Sequence, residues 1–293
     1  MKGLPFCLVD VFAEEKYAGN QLAVVRNASA LSSAQMQRIA NEMHFSETTF
    51  ILSDDKRNGG YDVRIFTPAS EMPFAGHPTL GTAYVIRHFL LNENINKVVL
   101  NLKVGQIPVT FEKEEKQEIL WMKQILPIFS ETFDAASIAQ MLNLDVEQVD
   151  MNYPIQRVST GVPFVIVPLK TLDGVKRVRI DKDKHFELAK ETQAETLVFS
   201  HETYKKENNL NVRVFVDLHG IPEDPAAGSA NGCLAAYLSR YRYFGDDLVN
   251  ARVEQGYEIG RPSLIHIKAE NREGEILVYV GGKVVMVASG ELA

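Results

Sequence analysis

Cysteine is scarce in this 293-residue chain: only Cys7 and Cys233 occur, without CxxC spacing. A disulfide-stapled secreted framework is thereby excluded, and a reducing, cytoplasmic home is the expectation. No run of about 18 apolar residues occurs, so no membrane-spanning helix is expected. The start, Met1-Lys2-Gly3-Leu4-Pro5, reaches Asp10 without the apolar centre of a signal peptide. Basic residues are outnumbered, 31 Lys and Arg against 38 Asp and Glu, for a net charge of -7. That balance argues against nucleic acid as the main partner, although a local basic pocket for a small anion is compatible with it. GxGxxG, HExxH and GxSxG are all missing. Gly76 to Gly81 has the glycine spacing of a P-loop, but Thr82 stands where lysine is needed. The seven histidines are scattered without ligand spacing. Neither a metal nor an organic cofactor is expected.

What the chain does contain is enough apolar residue, 45%, for two cores, and its length exceeds what one core usually supports. Apolar strands are predicted at Phe6 to Phe12 and Leu22 to Val25. Next comes a helix announced by the capping box of Ser32 and Gln35, with Met36, Ile39, Ala40 and Met43 on one face. A hairpin follows from Thr48 to Leu52 and Tyr61 to Phe66, its loop ending at Gly59-Gly60. After Gly76-His77-Pro78, the segment Thr79 to Leu91 is apolar on nearly every side, the pattern of a buried helix.

From about Ile119 the same order returns. A strand from Ile119 to Ile125 and a short extra helix near Ala135 to Leu142 lead to Pro163 through Val167 and a helix from Lys184 to Lys190. Glu195-Thr196-Leu197-Val198-Phe199 echoes Glu47-Thr48-Thr49-Phe50-Ile51, and Arg213-Val214-Phe215 echoes Arg64-Ile65-Phe66. Gly228-Ser229-Ala230-Asn231-Gly232 opens a second apolar helix as Gly76-His77 opens the first. A final pair of strands with a turn at Gly281-Gly282 suits antiparallel closure. Two lobes are expected, 1–118 and 119–293, with the last strands free to return to the first lobe. Each should wrap a curved, mostly antiparallel sheet around its apolar helix, an α+β architecture.

A helix N-terminus opened by glycine presents free N–H groups and the positive end of the helix dipole, a setting suited to carboxylate or phosphate. Two such termini facing one another across a pseudo-twofold cleft would hold a small carboxylic acid. The carboxylates suited to chemistry there are Glu47, at a strand start, and Asp224, in Glu223-Asp224-Pro225. Plainer roles compete: a solvated strand end for Glu47, matched by Glu195; a helix-end histidine for His77; an N-cap for Ser229; an N1 proline for Pro78; a turn cap for Asp224.

Tyr17-Ala18-Gly19-Asn20, Phe45-Ser46-Glu47-Thr48-Thr49-Phe50, Phe66-Thr67-Pro68 through Gly76-His77-Pro78-Thr79, and Glu223-Asp224-Pro225-Ala226-Ala227-Gly228-Ser229-Ala230 together resemble the phenazine-biosynthesis PhzF-like isomerase family. The resemblance implies the diaminopimelate-epimerase fold in two pseudo-symmetric lobes, commonly paired as homodimers, and a proton-shifting isomerase acting on a small cyclic carboxylic acid without metal or cofactor. It places acid/base catalysis on Glu47, assisted by His77, Asp224 and Ser229. Substrate binding is expected at Asn20, Ser46, Gly76, His77, Gly228, Ser229 and Ala230. A carboxyl group that gives and takes protons near neutrality needs an enclosed site. Amino-acid epimerases of related fold use two cysteines at positions held here by His77 and Ser229, so a two-thiol racemase is not expected, and Cys7 and Cys233 read as small core residues. One departure is Ala227, where family members often carry threonine, which bears on the substrate rather than the reaction class. The alternatives are a cofactor-free epimerase using Glu47 with His77 or Asp224, and a non-catalytic protein that binds small anions.

Overall fold

The strands β1 (Leu4–Val11) and β2 (Asn20–Val25) pair antiparallel. Helix α1 (Ser33–Met43) then crosses one sheet face, so that β3 (Glu47–Ile51) runs parallel to β2. A computed structural model describes residues 3–114, 117–216 and 221–293. The capping box at α1 forms as the sequence predicts: the Ser32 hydroxyl accepts the Gln35 N–H at 3.3 Å, and Gln35 Oε1 accepts the Ser32 N–H at 2.9 Å. Met36 and Ala40 on its apolar stripe are buried with Val25, Phe50 and Phe66. β4 (Tyr61–Phe66) pairs antiparallel with β3, and β5 (Glu71–Met72) with β4. Helix α2 (Gly76–Val85) follows, continuing into a π-helical turn from Ile86 to Leu91. Then β6 (Lys97–Leu102) runs parallel to β4, and β7 (Gly105–Glu114) and β8 (Gln117–Lys123) continue antiparallel.

Apart from the half-buried Tyr84, every residue of α2 is buried, packed against β1, β2, β3, β6 and β7. Such burial is what a helix apolar on every side requires. It ends sooner than the apolar run does. Phe89 is 41% exposed, because the widened π turn swings it outward, where its ring and that of His88 rest on Tyr84.

The second unit comprises β9 (Ile128–Phe133), α3 (Ala135–Leu142), β10 (Ile155–Ser159), β11 (Pro163–Pro168), α4 (Leu172–Arg177), α5 (Lys182–Thr192), β12 (Glu195–Ser200) and β13 (Leu210–Val216), then β14 (Ile221–Asp224), α6 (Gly228–Arg240), β15 (Val249–Gln255), β16 (Ser263–Arg272) and most of β17 (Glu275–Gly282). Its ladders repeat those of the first. β10 and β11 are antiparallel, β11 and β12 parallel, β12 and β13 antiparallel, β13 and β14 antiparallel, β13 and β15 parallel, and β15 and β16 antiparallel. Buried α6 takes the place of α2, against β10, β11, β15 and β16. Helices α3 and α4 add a further apolar layer, with Ile138, Leu142 and Val175 packed on Val165, Val167 and Val198.

Two expectations need correction. The strand expected from Ile119 to Ile125 does not open the repeat: it is β8, paired with β7, and the counterparts of β1 and β2 are β10 and β11. Nor is Gly281-Gly282 a turn. Both residues lie inside β17, where a Cβ at Gly281 would sit 2.6 Å from the Trp121 ring, so the glycine is there for close packing. The turn before β17 falls at Glu273 and Gly274, both with positive φ. A final strand, β18 (Val284–Leu292), pairs antiparallel with β1 as β9 pairs with β10. By internal contacts one unit is Met1–Met122 with Gly281–Ala293, the other Lys123–Val280.

Candidate active site

In the first unit, parallel pairing puts Leu22 of β2 beside Glu47, the first residue of β3. The start of α2 lies over this strand end. His77 is buried there, its Nε2 3.3 Å from Glu47 Oε2. Burial holds the imidazole down to about 3, well below its ordinary value, while a hydrogen bond to the Gln21 backbone acts in the opposite sense. A backbone bond that favours the protonated ring is one that the ring donates to a carbonyl. Since Nε2 faces Glu47, that donor is Nδ1. A neutral ring so oriented turns the lone pair of Nε2 toward the Glu47 carboxyl, and the two atoms then need one proton between them. Asn20 is buried at the first position of β2, Ser46 half-buried just before β3, and Gly76 buried at the start of α2.

In the second unit, Asp224 ends β14 and is half-buried. Burial pushes its carboxyl up to about 6, opposed by the Ala226 N–H that donates to Oδ1 at 2.8 Å and assisted by the neighbouring Glu223. Asp224 therefore does cap its turn, as the plainer reading expects, yet with a carboxyl that burial holds above the ordinary carboxylate range. Gly228 and Ala230 are buried and Ser229 half-buried in the first turn of α6. Ser229 lies inside the helix rather than at its N-cap, which is Ala227, and Pro78 lies two residues after the first residue of α2 rather than at N1.

The helix ends divide in a telling way. α1, α3, α4 and α5 are capped by the side chains of Ser32, Asp134, Thr171 and Asp181, whereas α2 and α6 begin after Ala75 and Ala227 with no side-chain cap. Their first N–H groups are thus left for another acceptor. Both cysteines are buried, and burial pushes Cys233 up to about 11, in keeping with core packing. Among the described residues no group of three or more His, Cys, Asp or Glu side chains is placed to hold a metal ion, and no helix is long and apolar enough to cross a membrane.

Residues 9–290 match the phenazine biosynthesis-like protein family. The chain belongs to that family. It is 34% identical to trans-2,3-dihydro-3-hydroxyanthranilate isomerase of Pseudomonas fluorescens over 98% of both chains. The crystal structure of a PhzF-family phenazine biosynthesis protein of Bacillus anthracis, 30% identical, superposes with a TM-score of 0.92 over 100% of both chains. A probable proline racemase of Agrobacterium radiobacter, 10% identical, gives a TM-score of 0.59 over 99% of this chain and 93% of that one, a likeness of fold alone. The chain is a PhzF-like isomerase with the duplicated diaminopimelate-epimerase-like fold.

Around Asp224 this isomerase has buried polar residues that the sequence did not announce. Gln255 Nε2 donates to the Asp224 carbonyl at 2.7 Å, and its Oε1 accepts from Asn231 Nδ2 at 2.8 Å and the Ala227 N–H at 3.3 Å. The Ser263 hydroxyl donates to the Pro225 carbonyl at 2.9 Å. Gly256 has φ 78°, and a Cβ there would meet the Arg261 and Pro225 carbonyls at 2.4 and 2.6 Å. Asn231 stands in the Gly228 to Gly232 motif but reads there only as a helix residue, and Gln255 carries no motif at all.

Proposed function

We propose that this enzyme shifts a proton between carbon atoms of a small cyclic carboxylic acid without a cofactor, and the first candidate substrate is the compound in the name of its P. fluorescens relative, trans-2,3-dihydro-3-hydroxyanthranilate isomerase. The observation that carries this reading is the pairing of half-buried Glu47 with buried His77, with 3.3 Å between carboxyl oxygen and imidazole nitrogen. Glu47 gives its proton to one carbon, and another C–H bond of the substrate breaks, returning a proton to the carboxylate. The net reaction neither gains nor loses a proton. His77, kept neutral by burial, accepts a hydrogen bond from the protonated acid and holds it in place. The uncapped start of α2 or α6 binds the substrate carboxylate and stabilises negative charge as the proton leaves. Asp224, at the turn that leads into α6, takes part in the proton transfer, with Ser229 in the first turn of that helix.

The test is incubation with trans-2,3-dihydro-3-hydroxyanthranilate in D₂O, followed by NMR. Isomerised product with deuterium at the newly protonated carbon is expected, and unchanged substrate rejects this substrate. One observation favours a second reading, epimerisation: Asp224 is a further carboxyl poised at about 6. An epimerase would invert a stereocentre and leave the bonding skeleton unchanged, so the chirality of the product separates the two.

A further inference from the structure

The duplicated ladders make each unit a control for the other. In β13, Val214 pairs with Asp224; the equivalent pairing in the first unit is Ile65 with Met72. The acid of the second unit thus stands where the first has a thioether. The parallel ladders continue the comparison: Tyr61 pairs with Leu100 and Asp62 with Asn101, as Leu210 pairs with Val253 and Asn211 with Glu254. One step on, Gln255 ends β15 where Leu102 ends β6. Where the turn before the buried helix carries Met72, the residue at the adjacent strand end is apolar; where it carries Asp224, that residue is a primary amide.

The amide is fully buried, a setting in which each polar atom needs a partner. Its partners are all parts of the candidate site. The NH₂ group holds the Asp224 peptide through its carbonyl, and the oxygen holds both the N–H of Ala227, the N-cap residue of α6, and the Asn231 amide. Asn231 Nδ2 in turn donates to the Ala227 carbonyl at 2.9 Å. Gly256, next in the chain, admits the Pro225 carbonyl to a distance that no side chain would allow. Among the described residues, Gln255 is the side chain that bonds both to the acid's own peptide and to the open end of the helix.

We propose that Gln255 is a positioning residue, whose carboxamide fixes the Asp224 peptide and the N-terminus of α6 as one rigid assembly. This rests on the reading that Asp224 takes part in proton transfer. Leucine, the first unit's residue at this place, removes every hydrogen bond at similar volume. Glutamate keeps the acceptors and loses the donor to Asp224.

Gln255→Leu and Gln255→Glu are to be compared with the parent enzyme for kcat and KM on trans-2,3-dihydro-3-hydroxyanthranilate, for thermal midpoint, and for titration of the Asp224 carboxyl by ¹³C NMR. The expected result for Gln255→Leu is a kcat at least about tenfold lower with KM changed much less, the scale for a misplaced acid/base group. Its Asp224 should titrate nearer the ordinary carboxylate range, since the loosened turn admits water. The kcat of Gln255→Glu should fall between, while its added carboxylate holds the Asp224 titration up. Unchanged kcat per folded molecule together with unchanged Asp224 titration in folded Gln255→Leu overturns the proposal, and kcat against KM for Gln255→Glu decides it if the leucine variant fails to fold, an unchanged kcat overturning it. If the parent enzyme does not turn over this compound, the functional reading fails, and the Asp224 titration alone decides the role of Gln255.

Discussion

At the scale of single residues, Glu47 and Glu195 occupy the same position, each opening the strand that follows the capped helix of its unit. Their surroundings differ. Glu47 meets His77 at an uncapped helix start, while Glu195 is buried with its Oε2 3.7 Å from Nε2 of His185, a residue of α5. Glu47→Gln is therefore expected to lower turnover at least about a hundredfold while sparing ligand binding and thermal midpoint. Glu195→Gln should chiefly lower the midpoint; equal loss of stability with unchanged turnover in both would make Glu47 structural. His77 and Asp224 leave opposite marks on stability. The folded His77 resists protonation down to about 3 against an ordinary 6.5, so its contribution is complete above pH 6.5 and lost as the pH falls from there toward 3. The folded Asp224 holds its proton up to about 6 against an ordinary 3.8, so its contribution is present in acid and lost as the pH rises from 3.8 through 6. Thermal midpoints against pH should show His77→Asn flattening the acid-side decline and Asp224→Asn steepening it between pH 6 and 4.

At the scale of elements, the two uncapped helices invite a substitution that trades binding for stability. Ala227 has the extended backbone of an N-cap residue, φ -91° and ψ 96°, so Ala227→Ser can cap α6. A gain of about 1 kcal/mol is expected, together with weaker stabilisation by added sulfate or carboxylate, since the hydroxyl competes for the same N–H groups. An unchanged response to anions would separate the cap from the site. A second device occurs in both units: Arg64 grips Glu71, and Arg213 grips Glu223, each through two hydrogen bonds of 2.7–2.9 Å. Each grip tethers the short strand that leads into the buried helix. The Arg213 pair is more deeply buried, at 8% and 9% exposure against 23% and 16%. Truncation there strands a charge away from water, so chemical denaturation should show Arg213→Met costing about 3–5 kcal/mol and Arg64→Met less. The sequence made the echo of Arg64-Ile65-Phe66 in Arg213-Val214-Phe215 legible because both lie in strands of like apolar pattern. It could not mark Gln255, because polar residues alternate along any half-buried strand and only the fold decides which of them face inward.

For the whole molecule, the duplication was legible because the repeated motifs keep their order. The starting point of the repeat was not: Ile119 to Ile125 looks like any apolar strand, and nothing local says that its neighbour is β7. Gly281-Gly282 misled for a related reason, since a glycine pair signals a turn as readily as it signals a ring packed on the backbone. β18 closes the first unit by running beside β1 from Val284 opposite Val11 to Leu292 opposite Leu4. Deleting residues 284–293 should therefore expose the amides of β1 to hydrogen exchange while those of β12 and β13 keep their protection; uniform loss would mean that the units unfold as one. The same ladder sets a schedule during synthesis. At the usual pace of translation, roughly 280 residues and on the order of half a minute separate the emergence of β1 from that of its partner. The second unit, continuous in sequence from Lys123 to Val280, is complete earlier, so the unit that is begun first on the ribosome is finished last. A nascent chain halted before β18 carries Glu47 on an unclosed sheet and His77 on the helix packed against it, with β1 left as a bare edge open to proteases and to pairing with another chain.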